Sequence, residues 1–156
     1  MAALRVRALK IRGGSDSGAE LIELAIVLPI LLIVVAGIVD FGFLFQRFET
    51  VTNAAREGAR LAVLPDYTDA DVQERVKQYL ESSGLNRAQS VVPTPGRSAI
   101  TLASGASVDV VTVQVFYPAQ MSGLASFLQL VGGSHASSIM LKGTSTMRTE
   151  NAASGS

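Results

Sequence analysis

The stretch that decides the fold is Leu21-Ile22-Glu23-Leu24-Ala25-Ile26-Val27-Leu28-Pro29-Ile30-Leu31-Leu32-Ile33-Val34-Val35-Ala36-Gly37-Ile38-Val39. From Leu24 to Val39 no side chain is charged or polar. A helix of about nineteen residues rises roughly 28 Å, close to the hydrocarbon thickness of a bilayer. A helix buried in a soluble core would present polar residues on at least one face, and this run has none. Pro29 lies inside it. In water an interior proline costs a helix ~3 kcal/mol, whereas membrane helices tolerate such positions as kinks. Pro29 and Gly37 are therefore expected to mark bends.

Ahead of the run stand Arg5, Arg7, Lys10 and Arg12, with no acid before Asp16. Beside a hydrophobic span, such a cluster reads as a topology signal. It places residues 1–18 in the cytoplasm and exports the remainder. The formal net charge of zero argues against a general polyanion binder, so no nucleic-acid partner is expected. The rival reading is a cleaved secretory signal, since Val34-Val35-Ala36 offers small residues of the kind signal peptidase prefers. Against it, the run exceeds the ~7–15 residues of a signal's apolar region. Glu23 also interrupts its start, and the helical pattern continues through Phe41, Phe45 and Phe48.

Glu23 is the most informative residue. An ionisable group inside a span usually has a partner or a function, although one so near the edge can also snorkel to the headgroups. The preceding residues sharpen the choice. Gly18 is followed by Ala19-Glu20-Leu21-Ile22-Glu23. This resembles the processing site of type IV pilin-like proteins, where a glycine ends a basic leader and glutamate is the fifth mature residue. The resemblance implies a prepilin peptidase that cuts between Gly18 and Ala19 on the cytoplasmic side and leaves the helix in place. The new α-amine, of pKa ~8, would be mostly protonated at neutral pH. In an assembly it could pair with Glu23 of a neighbouring subunit and fix axial register.

The resemblance extends further. Gly18-Ala19-Glu20 with Glu23, the Leu28-Pro29 step, Asp40-Phe41-Gly42 and Asn53-Ala54-Ala55-Arg56-Glu57-Gly58-Ala59-Arg60 together look like the TadE-like family. These are minor pilins or pseudopilins of tight-adherence (Flp-type) pilus systems. The likeness implies a single-pass protein of the bacterial inner membrane or a cell-surface adhesion pilus. Its partners would be a prepilin peptidase, other pilin or pseudopilin subunits and the assembly machinery. The abundant Flp pilins are much shorter and carry tyrosine after the glutamate. Here Leu24 follows Glu23 and about ninety residues lie beyond Leu64, which points to an accessory subunit.

Outward from the span, Ala54, Gly58 and Ala62 recur four apart, with Ala55 and Ala59 beside them. This small-residue stripe allows close approach of a sheet, a sibling helix or both. One long helix is expected over about Ala19–Leu64, ended by Pro65. Asp40 and Arg47 would mark its emergence from lipid, and Phe41, Phe45 and Phe48 would sit at the interface and continue into a core.

Thr68 with Asp69 and Asp71 reads as a helix start, Val72, Val76, Tyr79 and Leu80 as that helix's apolar face, and Gly84 as its stop. Strands are expected at Ser98–Ala103, Val108–Tyr117 and Ile139–Arg148. In the second, Val111, Val113, Val115 and Tyr117 line one apolar face, and Pro118 is expected to end it. Ser122–Val131 is either a short amphipathic helix or a mobile loop, with an apolar face for core, membrane or partner.

The fold class is therefore α+β: a long N-terminal transmembrane helix continuing into a small pilin-like domain with an antiparallel sheet. The expected division is a leader at 1–18, the transmembrane helix at 19–40, the extracytoplasmic domain at 41–151 and a disordered tail at 152–156.

No chemistry competes with this reading. There is no cysteine, which excludes disulfides and thiolate sites. The lone His135 lies among glycines and serines, too isolated for a zinc site. Asp66, Asp69 and Asp71 lack the remaining ligands and glycine of a calcium loop. Gly13-Gly14 is out of context for nucleotide binding. No enzyme, cofactor or small-molecule substrate is expected. The alternative function is an unprocessed single-pass anchor for an extracytoplasmic binding domain.

Overall fold

The computed structural model describes residues 15–130, 132 and 138–149. The basic cluster of the leader, His135 and the tail at 152–156 lie outside the described residues. One helix, α1 (Ser15–Ala62, 48 residues), carries the apolar run and continues beyond it. It passes through Pro29 and has an axial length of about 72 Å. It starts four residues earlier and stops two earlier than the sequence pattern suggests. Leu64 N–H bonds back to the Leu61 carbonyl, so the last turn tightens before Pro65.

The second helix, α2 (Asp69–Ser82), is bounded by its own side chains. The Thr68 hydroxyl accepts from the Asp71 N–H while the Asp71 carboxylate accepts from the Thr68 N–H at 2.9 Å. This reciprocal box satisfies two donors that the first turn leaves free. The Thr68 hydroxyl and N–H hold the Asp71 carboxyl below its ordinary range. At the other end Gly84, at φ +81, lets Leu85 N–H reach the Leu80 carbonyl and Gly84 N–H reach that of Glu81. These paired bonds make a Schellman stop, and Leu85 packs against the core beside Leu80.

A short 3₁₀ turn (Arg87–Gln89) leads into a three-stranded antiparallel sheet. Its strands are β1 (Gly96–Thr101), β2 (Ser107–Gln120) and β3 (Ser138–Arg148), in the order β1-β2-β3. A third helix, α3 (Ser122–Leu130), joins β2 to β3. The β1–β2 hairpin turns at Gly105, whose φ of +81 suits a residue without Cβ. Its register pairs Thr101 with Ser107, which leaves Leu102 and Ala103 in the loop.

Contrary to expectation, Pro118 does not end β2. The strand continues to Gln120, and Pro118 pairs with Met140 of β3. On the other side β1 reaches only Thr112, followed by an isolated bridge between Val91 and Phe116. Phe116 N–H points to that side, where it donates to Val91. Two residues on, Pro118 faces the same way with no strand beside it. Its missing N–H removes no ladder bond, the situation in which a strand accepts proline.

The core lies between α1, α2 and the sheet. Val51, Ala54, Ala55, Ala59 and Ala62 of α1 meet Val72, Val76 and Leu80 of α2, and Val111, Val113, Val115 and Tyr117 of β2. Alternation along β2 thus buries one face against helices. Tyr117, buried, accepts from Asn86 N–H and donates to Gln89 Oε1, both at 3.1 Å. Its phenol ties the connector to the sheet.

The Phe face of α1 departs from expectation. Phe41, Phe45 and Phe48 do not enter the core, remaining 65%, 55% and 43% exposed. They flank a small apolar groove of ≈ 190 Å³ with Leu44 and Leu141. The domain closes on α1 from Val51 onward, and Asp40 and Arg47 rather than the phenylalanines turn toward α3 and the end of β2.

Candidate functional site

The residues singled out from sequence fall in two places. Gly18, Ala19 and Glu23 lie near the beginning of α1, all solvent-exposed in the isolated chain. The stripe of Ala54, Ala55, Gly58, Ala59 and Ala62 begins roughly 46 Å further along the helix. The fold does not bring the two groups together.

At the first place, α1 runs through the Gly18–Ala19 bond. Nothing stands within 4 Å of where a Gly18 side chain would begin, so this glycine is not required by packing. Inside a helix glycine is weaker than alanine by roughly 0.5–1 kcal/mol, so Gly18 slightly weakens this turn. Among the described residues, no cation lies against Glu23. The large apolar side chains along the run, from Leu21 to Val39, are exposed. An apolar surface of this size exceeds what a soluble monomer leaves open. By length and composition, α1 is apt to cross a membrane.

At the second place the stripe lies inside the domain. Ala54, Ala55 and Ala59 are fully buried. A Cβ on Gly58 would lie 2.5 Å from Val76 Cγ2 and 3.1 Å from Val113 Cγ1, so the glycine admits both α2 and β2 against α1. The polar side of the same segment pairs with α2, where Glu57 Oε1 lies 2.9 Å from Arg75 Nη2. Such an exposed pair contributes at most about 1 kcal/mol.

The residue whose role the sequence did not disclose is Asp40. Its side chain is 6% exposed, and its carboxylate accepts from Gly123 N–H at 2.9 Å and Leu124 N–H at 2.6 Å. A carboxylate at a helix N-terminus satisfies otherwise free donors and meets the positive end of the helix dipole. Asp40 therefore bolts α3 to α1 where the apolar run ends. Arg47 supports the junction by donating to the Gln120 carbonyl at 3.4 Å. The available sign was a single acid at the end of the run, which also fits simple emergence from lipid.

Asp40→Ala should release α3 while sparing the core. Two N–H groups in a half-buried site lose their acceptor, a cost of about 1–3 kcal/mol. The expected result is amide exchange at Gly123 and Leu124 accelerated at least about tenfold, with Val113 and Val115 unchanged. Asp40→Asn, which keeps one acceptor oxygen, should fall between. Unchanged exchange in Asp40→Ala would remove Asp40 as the anchor of α3.

No curated protein and no solved structure matches the chain. A family model does, over residues 18–60, and its description is TadE-like protein. The matched interval begins at Gly18, contains Glu23 and Asp40, and ends within the small-residue stripe. Its compass is nearly that of α1. Over residues 18–60, and with them most of the long helix on which the domain is built, this chain is similar to the TadE-like family.

Proposed function

We propose that the protein is a pilin-like accessory subunit of a tight-adherence (Flp-type) pilus, cut after Gly18 by a prepilin peptidase. The mature chain keeps its helix in the inner membrane, with the domain from residue 41 onward outside. It enters or supports the filament by packing its span against those of other subunits. The small-residue stripe serves the interior of the domain, leaving the span as the surface for other subunits.

The observation that carries this reading is the state of Glu23. It is a carboxylate about one turn inside an otherwise apolar segment, and the described chain offers it no cation. Burying such a charge without a partner costs several kcal/mol. Cleavage after Gly18 supplies the missing cation as the α-amine of Ala19. A neighbour displaced by one turn along the helix axis brings its amine level with this carboxylate. The pair both offsets the desolvation of the two charges and sets the stagger between subunits.

One feature favours the unprocessed alternative. The helix includes Ser15–Gly18, and the peptidase must open that turn before cutting.

A photo-crosslinking amino acid at Ile30, on the exposed span, tests the assembly reading in cells that carry the complete pilus system. Crosslinks to pilin-like subunits support it. Crosslinks to lipid alone overturn it.

A further inference from the structure

The helix α3 turns back along the apolar segment. Asp40 fixes its first turn at the level where that segment ends. Below Asp40, Gly37 and Ala36 are half-buried, and Ile33 is 37% exposed against 67% for Ile38 on the opposite side of α1. Ile33, Ala36, Gly37 and Asp40 share one helical face, and the spacing is the footprint of a helix laid along it. On α3 the matching residue is Ala125, which is buried. Nine residues of α3 reach roughly 13 Å, enough to cover the roughly 10 Å of axis from Asp40 to Ile33. The two helices therefore run antiparallel over the last two turns of the span.

The chemistry of this end of the domain agrees with its position. No Asp, Glu, Lys or Arg occurs between Asp109 and Lys142, a stretch that contains most of β2, all of α3 and the start of β3. At the start of β3, Ile139 and Met140 are exposed. Ion pairs farther from the span join Glu57 with Arg75 and Asp69 with Arg97, while Arg87, paired with Glu74 and Glu81, lies nearer, in the connector held by Tyr117. Charged side chains thus thin out along the axis of α1 toward the span, where Asp40 and Arg47 hold the junction with α3 and β2.

We infer that α3 and the Ile139–Met140 tip are a foot embedded in the outer leaflet of the bilayer that α1 crosses. The occupant of their outer surface is lipid, because α3 lies against the stretch of α1 that lipid must itself surround. Its reach of about two turns below Val39 matches the 5–10 Å to which interfacial helices sink. Joined to α1 through Asp40, the foot holds the domain at a fixed height and tilt over the membrane. The inference rests on the reading that residues 21–39 span a bilayer.

The cysteine-free chain allows a clean test. Single cysteines replace Ser126, Gln129, Val34 and Gln78 in the full chain, all at exposed positions. Each carries an environment-sensitive fluorophore, and the protein is reconstituted in phosphatidylcholine–phosphatidylglycerol vesicles. A lipid bearing a nitroxide at the fifth acyl carbon serves as quencher. The expected result is quenching at Ser126→Cys and Gln129→Cys of at least about half that at Val34→Cys, with little at Gln78→Cys. If positions 126 and 129 behave like 78 while 34 is quenched, α3 stands clear of lipid and the inference fails alone. If 34 is not quenched either, the span reading fails and takes the inference with it. Positions 126 and 129 shielded from both lipid quencher and aqueous iodide would mean that a second copy covers α3, which also overturns it.

Discussion

Gly143→Val should destabilise the domain more than any other single substitution considered, by about 3 kcal/mol or more. The reason is the approach of β3 to α1. A Cβ on Gly143 would lie 2.5 Å from the Val51 carbonyl oxygen, 2.8 Å from its carbon and 3.0 Å from Thr52 Cα. These are backbone atoms of a helix and cannot rotate aside as a side-chain tip can. Either β3 lifts from α1, opening the core around Val51, or the helix distorts. Gly58 offers the contrast. Its Cβ would meet methyl groups of the buried Val76 and Val113, side-chain rather than backbone atoms, and the crowding is partly offset by up to about 1 kcal/mol of helix propensity that alanine has over glycine. Gly58→Ala should therefore be tolerated far better, whereas Gly58→Leu overfills the core. Thermal unfolding of the full chain in detergent, followed by circular dichroism, should show Gly143→Val melting more than about 10 °C below the parent. A melting temperature within a degree or two of the parent would mean that β3 does not lie against α1 at this point.

These two glycines show what the sequence discloses and what it hides. Gly58 announces itself because alanines recur around it at helical spacing, so local periodicity reveals a packed face. Gly143 interrupts a strand pattern, a sign of close backbone approach. The sign names no partner, and Val51 lies far away in the chain. The helix start at Thr68, the stop at Gly84 and the alternation of β2 were legible for the same local reason. Asp40 was not, because the N–H groups it holds lie more than eighty residues away. Pro118 misled because its cost depends on whether a neighbouring strand exists there, which only the register decides. The phenylalanines had helical spacing suited to a core, and Ala55 and Ala59 on nearly the same face are buried, but the domain core closes on α1 only from Val51 onward. Gly18, Ala19 and Glu23 have no tertiary neighbours in the described chain, and their meaning comes from order along the sequence.

Glu23→Ala should have the second large effect, on assembly rather than on folding. The alanine removes a costly charge from the apolar segment, so membrane insertion should be equal or better. The domain core lies beyond residue 50 and should melt as in the parent. Without the carboxylate, the amine of a neighbouring subunit would be left unpaired in low dielectric, and a broken buried pair costs about 3–5 kcal/mol. Recovery of the protein in the sheared pilus fraction, or its crosslinking at Ile30, should therefore fall by at least about tenfold. Glu23→Gln retains size and hydrogen bonding but not charge, and should lie nearer to alanine than to the parent. Parental assembly by Glu23→Ala would show that the carboxylate has no pairing role.

The first residue of the working protein decides whether Glu23 has an amine to pair with. The chain should be isolated from cells with an active peptidase and a functioning pilus, and its intact mass and N-terminal sequence determined. The account predicts a chain that begins at Ala19, with its amine free and α1 complete. A population that still begins at Met1 and supports pilus formation undiminished would contradict it.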